Sequence, residues 1–407
     1  MVESSKSDDL VDLWNGSPPH VLGNRCLNVR HRARACRICV DACPVDAISI
    51  PRGDNVDVAP IALDQDTCVR CGLCLHACPT GVFVQTNSPE SKLPQAMAKS
   101  SSEVIELACP RKEPADLSHA PEASVVQTPR CLAALSAPIL LEMAATGKTL
   151  WLNDSMCHAC PIGQARWAIQ RTITAANRWL QVMGHQATIR SYLINADDLA
   201  DVPVSQPVVQ SSQPIMSRRD FFRSVTRLAE QTAVLPDESL PSEAGQRLPH
   251  HIPAQRQHLA ASLGQLSPDP SASISTAGLP VADVTISDDC TACGLCAQFC
   301  PTEAISFVSD SEYYVLNFSA ALCLGDDCNL CVIGCPTHAV AFGDEVMSGE
   351  LLRTRPRPVK AGRLAPCAKC GVLTAADEVD AANEAPLCYV CQAQADRPNL
   401  LSSLSNQ

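Results

Sequence analysis

The stretch HRARACRICVDACPVDAISI, residues 31–50, contains Cys36-x2-Cys39-x3-Cys43-Pro44, a spacing in which soft thiolates wrap iron. The full run would read C-x2-C-x2-C-x3-C-P, and its first slot, position 33, is Ala33. Three further copies follow: CGLCLHACPTGVFVQ from Cys71, CGLCAQFCPTEAISF from Cys293 and CNLCVIGCPTHAVAF from Cys328. Cys68, Cys290 and Cys323 precede them. The first two of these copies fit the run as written, and the third has four residues in its first gap.

A 4Fe–4S cube needs four thiolates at different corners. Three closely spaced cysteines let one short loop hold three corners, while the fourth cysteine of each run serves a second cluster, so runs work in pairs. The proline after that cysteine fixes φ and removes an amide, directing the chain into its next turn. Apolar tails (Ala47-Ile48, Val82-Phe83, Ala304-Ile305, Ala339-Val340) would cover the clusters. Zinc knuckles or reduced core cysteines are the plainer reading, and the paired Cys-Pro runs weigh against them.

These runs resemble the bacterial dicluster ferredoxin family, in two copies at residues 25–90 and 283–346, so the chain resembles a polyferredoxin. The resemblance covers about a third of the chain. It implies an α+β module with two short helices and small β-hairpins around two clusters, and it assigns ligands residue by residue. One C-terminal cluster takes Cys290, Cys293, Cys296 and Cys335, and the other takes Cys323, Cys328, Cys331 and Cys300. In the first module one cluster takes Cys68, Cys71, Cys74 and Cys43. The remaining cluster has Cys36, Cys39 and Cys78 and lacks a fourth ligand. Cys26 is the favoured candidate, because the nine residues between it and Cys36 can span more than ~20 Å when extended. The rivals are a three-iron cluster, His31 as a nitrogen ligand, and a free Cys26.

Two more cysteine sets lie outside the repeats. Cys367-x2-Cys370 and Cys388-x2-Cys391, with seventeen residues between the pairs, have zinc-ribbon spacing: four thiolates closing a tetrahedral, structural site. A single-iron, rubredoxin-like centre is the alternative. Cys109, Cys131, Cys157 and Cys160 fall at expected strand ends, where α/β sheets carry ligands. This middle arrangement weakly resembles the iron–sulfur delta subunit of methanogen-type hydrogenases, which implies a fifth metal site, iron–sulfur or zinc. Against it stand ordinary core cysteines with a redox Cys157-x2-Cys160 pair.

The elements that position these residues are partly legible. Glu103–Ala108, Ser124–Gln127 and Thr149–Leu152 read as strands and Pro138–Ala145 as a helix. Ile162, Ala165, Ile169, Ile173, Ala176, Leu180 and Met183 recur at helical steps, so a small α/β layer is expected at 91–200. Residues 201–282, rich in Pro, Ser and Gln, read as an irregular linker. Inside it Ser217-Arg218-Arg219-Asp220-Phe221-Phe222 looks like a twin-arginine motif but lacks the position and apolar tail of one. It reads instead as an amphipathic basic helix over 217–231 that docks on the protein itself, a partner or a membrane surface. Residues 1–24 read as a tail and 347–407 as the knuckle.

The totals set bounds. With 24 cysteines in 407 residues at these spacings, metal ligation outweighs disulfide bonding. The net charge of −12 argues against nucleic acid and favours a basic redox partner. No signal peptide and no run of roughly 18 apolar residues is apparent, so the expected location is cytoplasmic. No nucleotide-binding glycine fingerprint or catalytic triad emerges. The expected function is single-electron transfer through about four 4Fe–4S clusters, as a carrier or as the electron-conducting subunit of a larger redox complex. The alternatives are an iron–sulfur and zinc scaffold that assembles or senses oxidation, and an oxidoreductase subunit with its catalytic metal in the middle domain.

Overall fold

The computed structural model describes residues 17–51, 61–86, 88–98, 100–111, 123–186, 188–193, 209–210, 248–266, 269–353, 355–376 and 385–395. The chain divides into two compact units. One comprises Met1–Val29, Cys36–Leu248 and Pro253–Pro268; the other comprises Arg30–Ala35, Pro249–Ile252 and Asp269–Gln407.

The first unit opens with a small α+β module. Two antiparallel two-stranded ribbons, His20–Val21 with Phe83–Val84 and Ile48–Ser49 with Ala62–Leu63, frame the short helices Ile38–Ala42 and Cys74–Ala77. Ribbons this short cannot stand alone. Their core is correspondingly mixed, with Ile48, Ile61, Val82 and Phe83 packing directly on Cys26, Cys39 and Cys78. These cysteines are thus part of the hydrophobic core.

Residues 100–210 build a five-stranded, wholly parallel sheet. Its order is Ile189–Ser191, Thr149–Asn153, Val104–Ala108, Ser124–Gln127, Val209–Gln210. Ile105, Leu107, Val125, Leu150 and Leu152 are buried, as expected of strands covered on both faces. Glu106 is the polar exception. It is fully buried, and it accepts hydrogen bonds from Asn153 Nδ2 at 2.6 Å and from the Tyr192 hydroxyl. Helix Arg166–Val182 presents Ala168, Ile169, Ile173, Ala176, Trp179 and Leu180 inward, the three-and-four spacing seen in the sequence.

One expectation is corrected here. Residues 201–282 are not irregular throughout: Ala254–Gln265 form a helix that starts after Pro253 and buries Arg256, Leu259, Ser262 and Leu263. Ser262 Oγ donates to the Pro138 carbonyl at 3.1 Å, seating this helix on helix Ala137–Ala144. The polar composition hid the helix, because few apolar side chains are needed where a hydroxyl and an arginine fill the seam. The basic segment 217–231 lies outside the described residues.

In the second unit, the antiparallel pair Asp283–Ile286 with Val340–Gly343 mirrors the ribbons of the first module. A four-stranded antiparallel sheet runs Ile305–Ser309, Tyr313–Phe318, Arg357–Pro366, Leu373–Ala376. Its third strand delivers Cys367 and its fourth begins just past Cys370, so the C-terminal knuckle grows out of the module's own sheet. Among the described residues, no helix is long and apolar enough to cross a membrane.

Candidate metal centres

One turn falls at the same step in every repeat, and a second is shared by three of them. The third residue after each Cys-Pro cysteine has positive φ: Asp46 (54°), Gly81 (65°), Glu303 (61°) and His338 (56°). The residue just before the second cysteine of a run does too, at Arg70 (57°) and Ala292 (54°). Ala35, before Cys36, sits at 45°, so the first repeat keeps this turn although Ala33 replaces its leading cysteine. Left-handed backbone at non-glycine residues costs about 1–3 kcal/mol each and persists where surroundings demand it. Here the demand is a loop that aims successive thiols at one centre.

Four thiol sets result, each drawing its last member from the other run. Cys43 lies among Cys68, Cys71 and Cys74, and all four line one cavity. Cys335 lies beside Cys290, Cys293 and Cys296. Cys300 joins Cys323, Cys328 and Cys331 around a second cavity. Cys26 and Cys78 lie beside Cys36 and Cys39. Burial, reinforced by neighbouring sulfurs, pushes the Cys39, Cys296 and Cys328 thiols up to about 12. Such gathered, dry thiols ionise when a bound cation compensates the charge, which suits metal ligation.

A residue that sequence reasoning missed closes the set around Cys26. The Asn28 side chain accepts from the Cys36 amide at 2.7 Å and donates to the Cys36 carbonyl at 2.9 Å. That pair of hydrogen bonds pinches off residues 29–35 as a loop and returns Cys36 to Cys26. The only advance signal was an amide side chain two positions after a candidate ligand. His31, the nitrogen alternative, packs edge-on against Phe299 with ring centroids 4.9 Å apart.

Hydrogen bonds to sulfur complete the surroundings. The Ala47, Ala339 and Gly325 amides donate to Cys43, Cys335 and Cys323 Sγ at 3.3, 3.3 and 3.4 Å. Thr80, Thr302 and Thr337 hydroxyls lie 3.6, 3.7 and 3.7 Å from the cysteine two residues back. Donors aimed at ligand sulfur stabilise the reduced, more negative cluster.

Comparison with protein families agrees with this geometry. Residues 34–82 match the model of a 4Fe–4S dicluster domain, and residues 284–306 match that of a 4Fe–4S binding domain. The chain carries two ferredoxin-type 4Fe–4S domains. Its architecture is therefore polyferredoxin-like. The first match begins beyond Cys26 and the second ends before Cys323.

The C-terminal set differs in kind. Cys367, Cys370, Cys388 and Cys391 bring their sulfurs within 4.8 Å of one another. Tetrahedral thiolate zinc, with Zn–S about 2.3 Å, holds sulfurs about 3.8 Å apart, so this set fits one ion and is too tight for a cube. The amides of Cys388 and Cys370, aimed at Cys367 Sγ, pull that thiol down to about 6. Among the described residues no other group of His, Cys, Asp or Glu is gathered closely enough for a single ion.

In the middle domain Cys109 follows strand Val104–Ala108, Cys131 lies four residues past strand Ser124–Gln127, and Cys157 four past strand Thr149–Asn153. These three and Cys160 line one cavity at the carboxyl ends of the parallel strands.

Proposed function

We propose that the protein relays single electrons through four 4Fe–4S clusters, two in each ferredoxin module, as a carrier or as the electron-conducting subunit of a larger redox complex. The observation that supports this is the crossed ligand pattern: each three-cysteine loop receives its fourth thiol from the partner run, Cys43, Cys78, Cys300 or Cys335. Crossing forces the two clusters of a module to lie side by side. In the second module Cys331 of one set has Cys296 of the other as an electrostatic neighbour. Two adjacent centres of one chemical type suit through-transfer better than storage at one site.

When bound, the clusters supply the one-electron chemistry. The chain's residues hold them, exclude water with Ile48, Val82, Ile305 and Val340, and direct amide dipoles at sulfur. Cys26 completes the first module, and zinc held by Cys367, Cys370, Cys388 and Cys391 stabilises the far sheet edge. The net charge of −12 favours a redox partner with a basic surface.

The test is anaerobic purification with iron, sulfide and zinc counted per chain, followed by dithionite titration under paramagnetic resonance. About sixteen irons in four cubes that reduce reversibly and pass electrons to an acceptor are expected. Fewer than about twelve irons, or clusters that do not reduce while partner binding persists, would replace the relay with a scaffold.

A further inference from the structure

Two hydrogen bonds tie the C-terminal knuckle to the loop that carries Cys290 and Cys293. The Thr374 hydroxyl donates to the Thr291 carbonyl at 2.9 Å, and the Ala375 amide donates to the same oxygen at 3.2 Å. Thr374 is 1% exposed, so its hydroxyl has exchanged water for this partner. Both donors lie on strand Leu373–Ala376, which begins three residues after Cys370. Val372, just before the strand, accepts from the Cys367 amide at 2.9 Å, and the Cys388 amide donates to Cys367 Sγ at 3.3 Å. The start of the strand is therefore fixed by the C-terminal cysteine set, while its middle rests on a residue between two ferredoxin cysteines.

The carbonyl held in this way belongs to the peptide Thr291–Ala292, and the amide of that same peptide is aimed at Cys290 Sγ. A trans peptide is planar with its C=O and N–H on opposite sides, so clamping the oxygen sets the direction of the hydrogen. Ala292 has φ of 54°, a conformation that a residue with a Cβ keeps only where its surroundings demand it. The knuckle strand supplies that demand from outside the loop. In the first module Arg70 repeats the positive φ, and its amide is likewise aimed at Cys68 Sγ. The amide contact thus belongs to the turn, and the strand that anchors it here comes from the knuckle. Strand Arg357–Pro366, which pairs with Leu373–Ala376, also brings Lys360 to the Cys290 sulfur as a cationic neighbour.

We propose that the knuckle is a positioning device for the cluster of Cys290, Cys293, Cys296 and Cys335, and that it acts through Thr374. An ion held by Cys367, Cys370, Cys388 and Cys391 fixes strand Leu373–Ala376. Thr374 and Ala375 then hold the Thr291–Ala292 peptide, and its amide stays on the Cys290 sulfur. A donor on ligand sulfur stabilises the reduced cluster, so filling the ion site raises the potential of this cluster. The cluster of Cys300, Cys323, Cys328 and Cys331 has no part in the clamp and keeps its potential. The knuckle ion itself gains and loses no electron. The change in potential rests on the relay reading above; the clamp on the peptide does not.

The experiment compares the anaerobically purified full chain with Thr374→Val, which keeps the shape and removes the hydroxyl, and with Thr374→Ser, which keeps the hydroxyl. Potentiometric titration under paramagnetic resonance reads each cluster, and the step of interest is the one that moves or vanishes in Cys293→Ser. Hydrogen exchange over residues 288–295 reads the Ala292 amide. Thr374→Val is expected to keep its zinc and iron and to exchange faster at Ala292. It should also lower the reduced-to-oxidised ratio of that one cluster about tenfold at fixed potential, a negative shift of about 59 mV for one electron. Thr374→Ser is expected to return both readouts toward wild type. Withdrawing zinc from the wild type with a chelator should reproduce the Thr374→Val result at unchanged iron, and this arm decides alone if the variants fail to accumulate. Unchanged exchange at Ala292 after zinc withdrawal overturns the clamp, as does a Thr374→Val effect that serine leaves in place. Faster exchange with an unmoved potential overturns the redox role of the knuckle. If the wild-type clusters do not reduce at all, the relay reading falls, and exchange at Ala292 still decides the clamp.

Discussion

Arg34 donates from Nε to the carbonyl oxygen of Cys328 at 2.9 Å and from Nη2 to that of Asp327 at 3.0 Å. A guanidinium thus grips the loop that carries one ligand of the Cys300, Cys323, Cys328 and Cys331 set. Arg30 lies near two thiols of the same set, Cys300 and Cys328. Burial pulls its pKa down, and Cys300 and Cys328 pull it back up. Both arginines come from residues 30–35, the insertion that makes the first repeat look defective.

A cation beside a cluster favours the reduced form. Arg34→Gln is therefore expected to shift the potential of that one cluster negative by roughly tens of millivolts, leaving the cluster of Cys290, Cys293, Cys296 and Cys335 less affected. Potentiometric titration followed by paramagnetic resonance reads both. A positive shift, or equal shifts in both clusters, would remove the electrostatic role.

Asn28 predicts a local stability effect. Asn28→Ala deletes both hydrogen bonds to Cys36 and is expected to cost about 1–3 kcal/mol, felt as faster loss of one cluster on exposure to air. Cys26→Ser should disturb the same cluster. An unchanged iron count and spectrum in Cys26→Ser would clear Cys26 of ligation.

The Glu90 and Arg130 pair is buried on both sides. Glu90→Ala strands a guanidinium away from water, and a loss of about 3–5 kcal/mol in unfolding free energy is expected. Glu90→Gln, which keeps hydrogen-bond acceptance, should recover part of it. Denaturant titration by circular dichroism distinguishes the three proteins.

Removing the C-terminal ion should act on one sheet edge. Cys388→Ser/Cys391→Ser is expected to abolish one zinc per chain and expose strand Leu373–Ala376, whose strand partner among the described residues is Arg357–Pro366. Hydrogen exchange should rise there while iron content holds. Iron loss of a whole cluster instead would mean that the set belongs to the relay.

The repeats were legible because iron chemistry dictates cysteine spacing: Cys68 to Pro79 and Cys290 to Pro301 state their ligation almost without folding. Three of the five parallel strands and helix Arg166–Val182 were legible too, since burial on one or both faces imprints its period on apolar residues. Helix Ala254–Gln265 was not, because its seam is built from Arg256 and Ser262 as much as from leucines.

What the sequence determined by itself is the type of metal chemistry and the thiols available for it, since those follow from residue identity over short spans. What only the tertiary structure decided is how Cys26 joins its set and what separates one site from the next. Cys26 reaches Cys36 through Asn28, and Gly72 meets Arg130 across fifty-eight positions. These contacts depend on backbone turned to positive φ at Ala35 and on a missing side chain at Gly72, properties that emerge only when the chain is closed around its core.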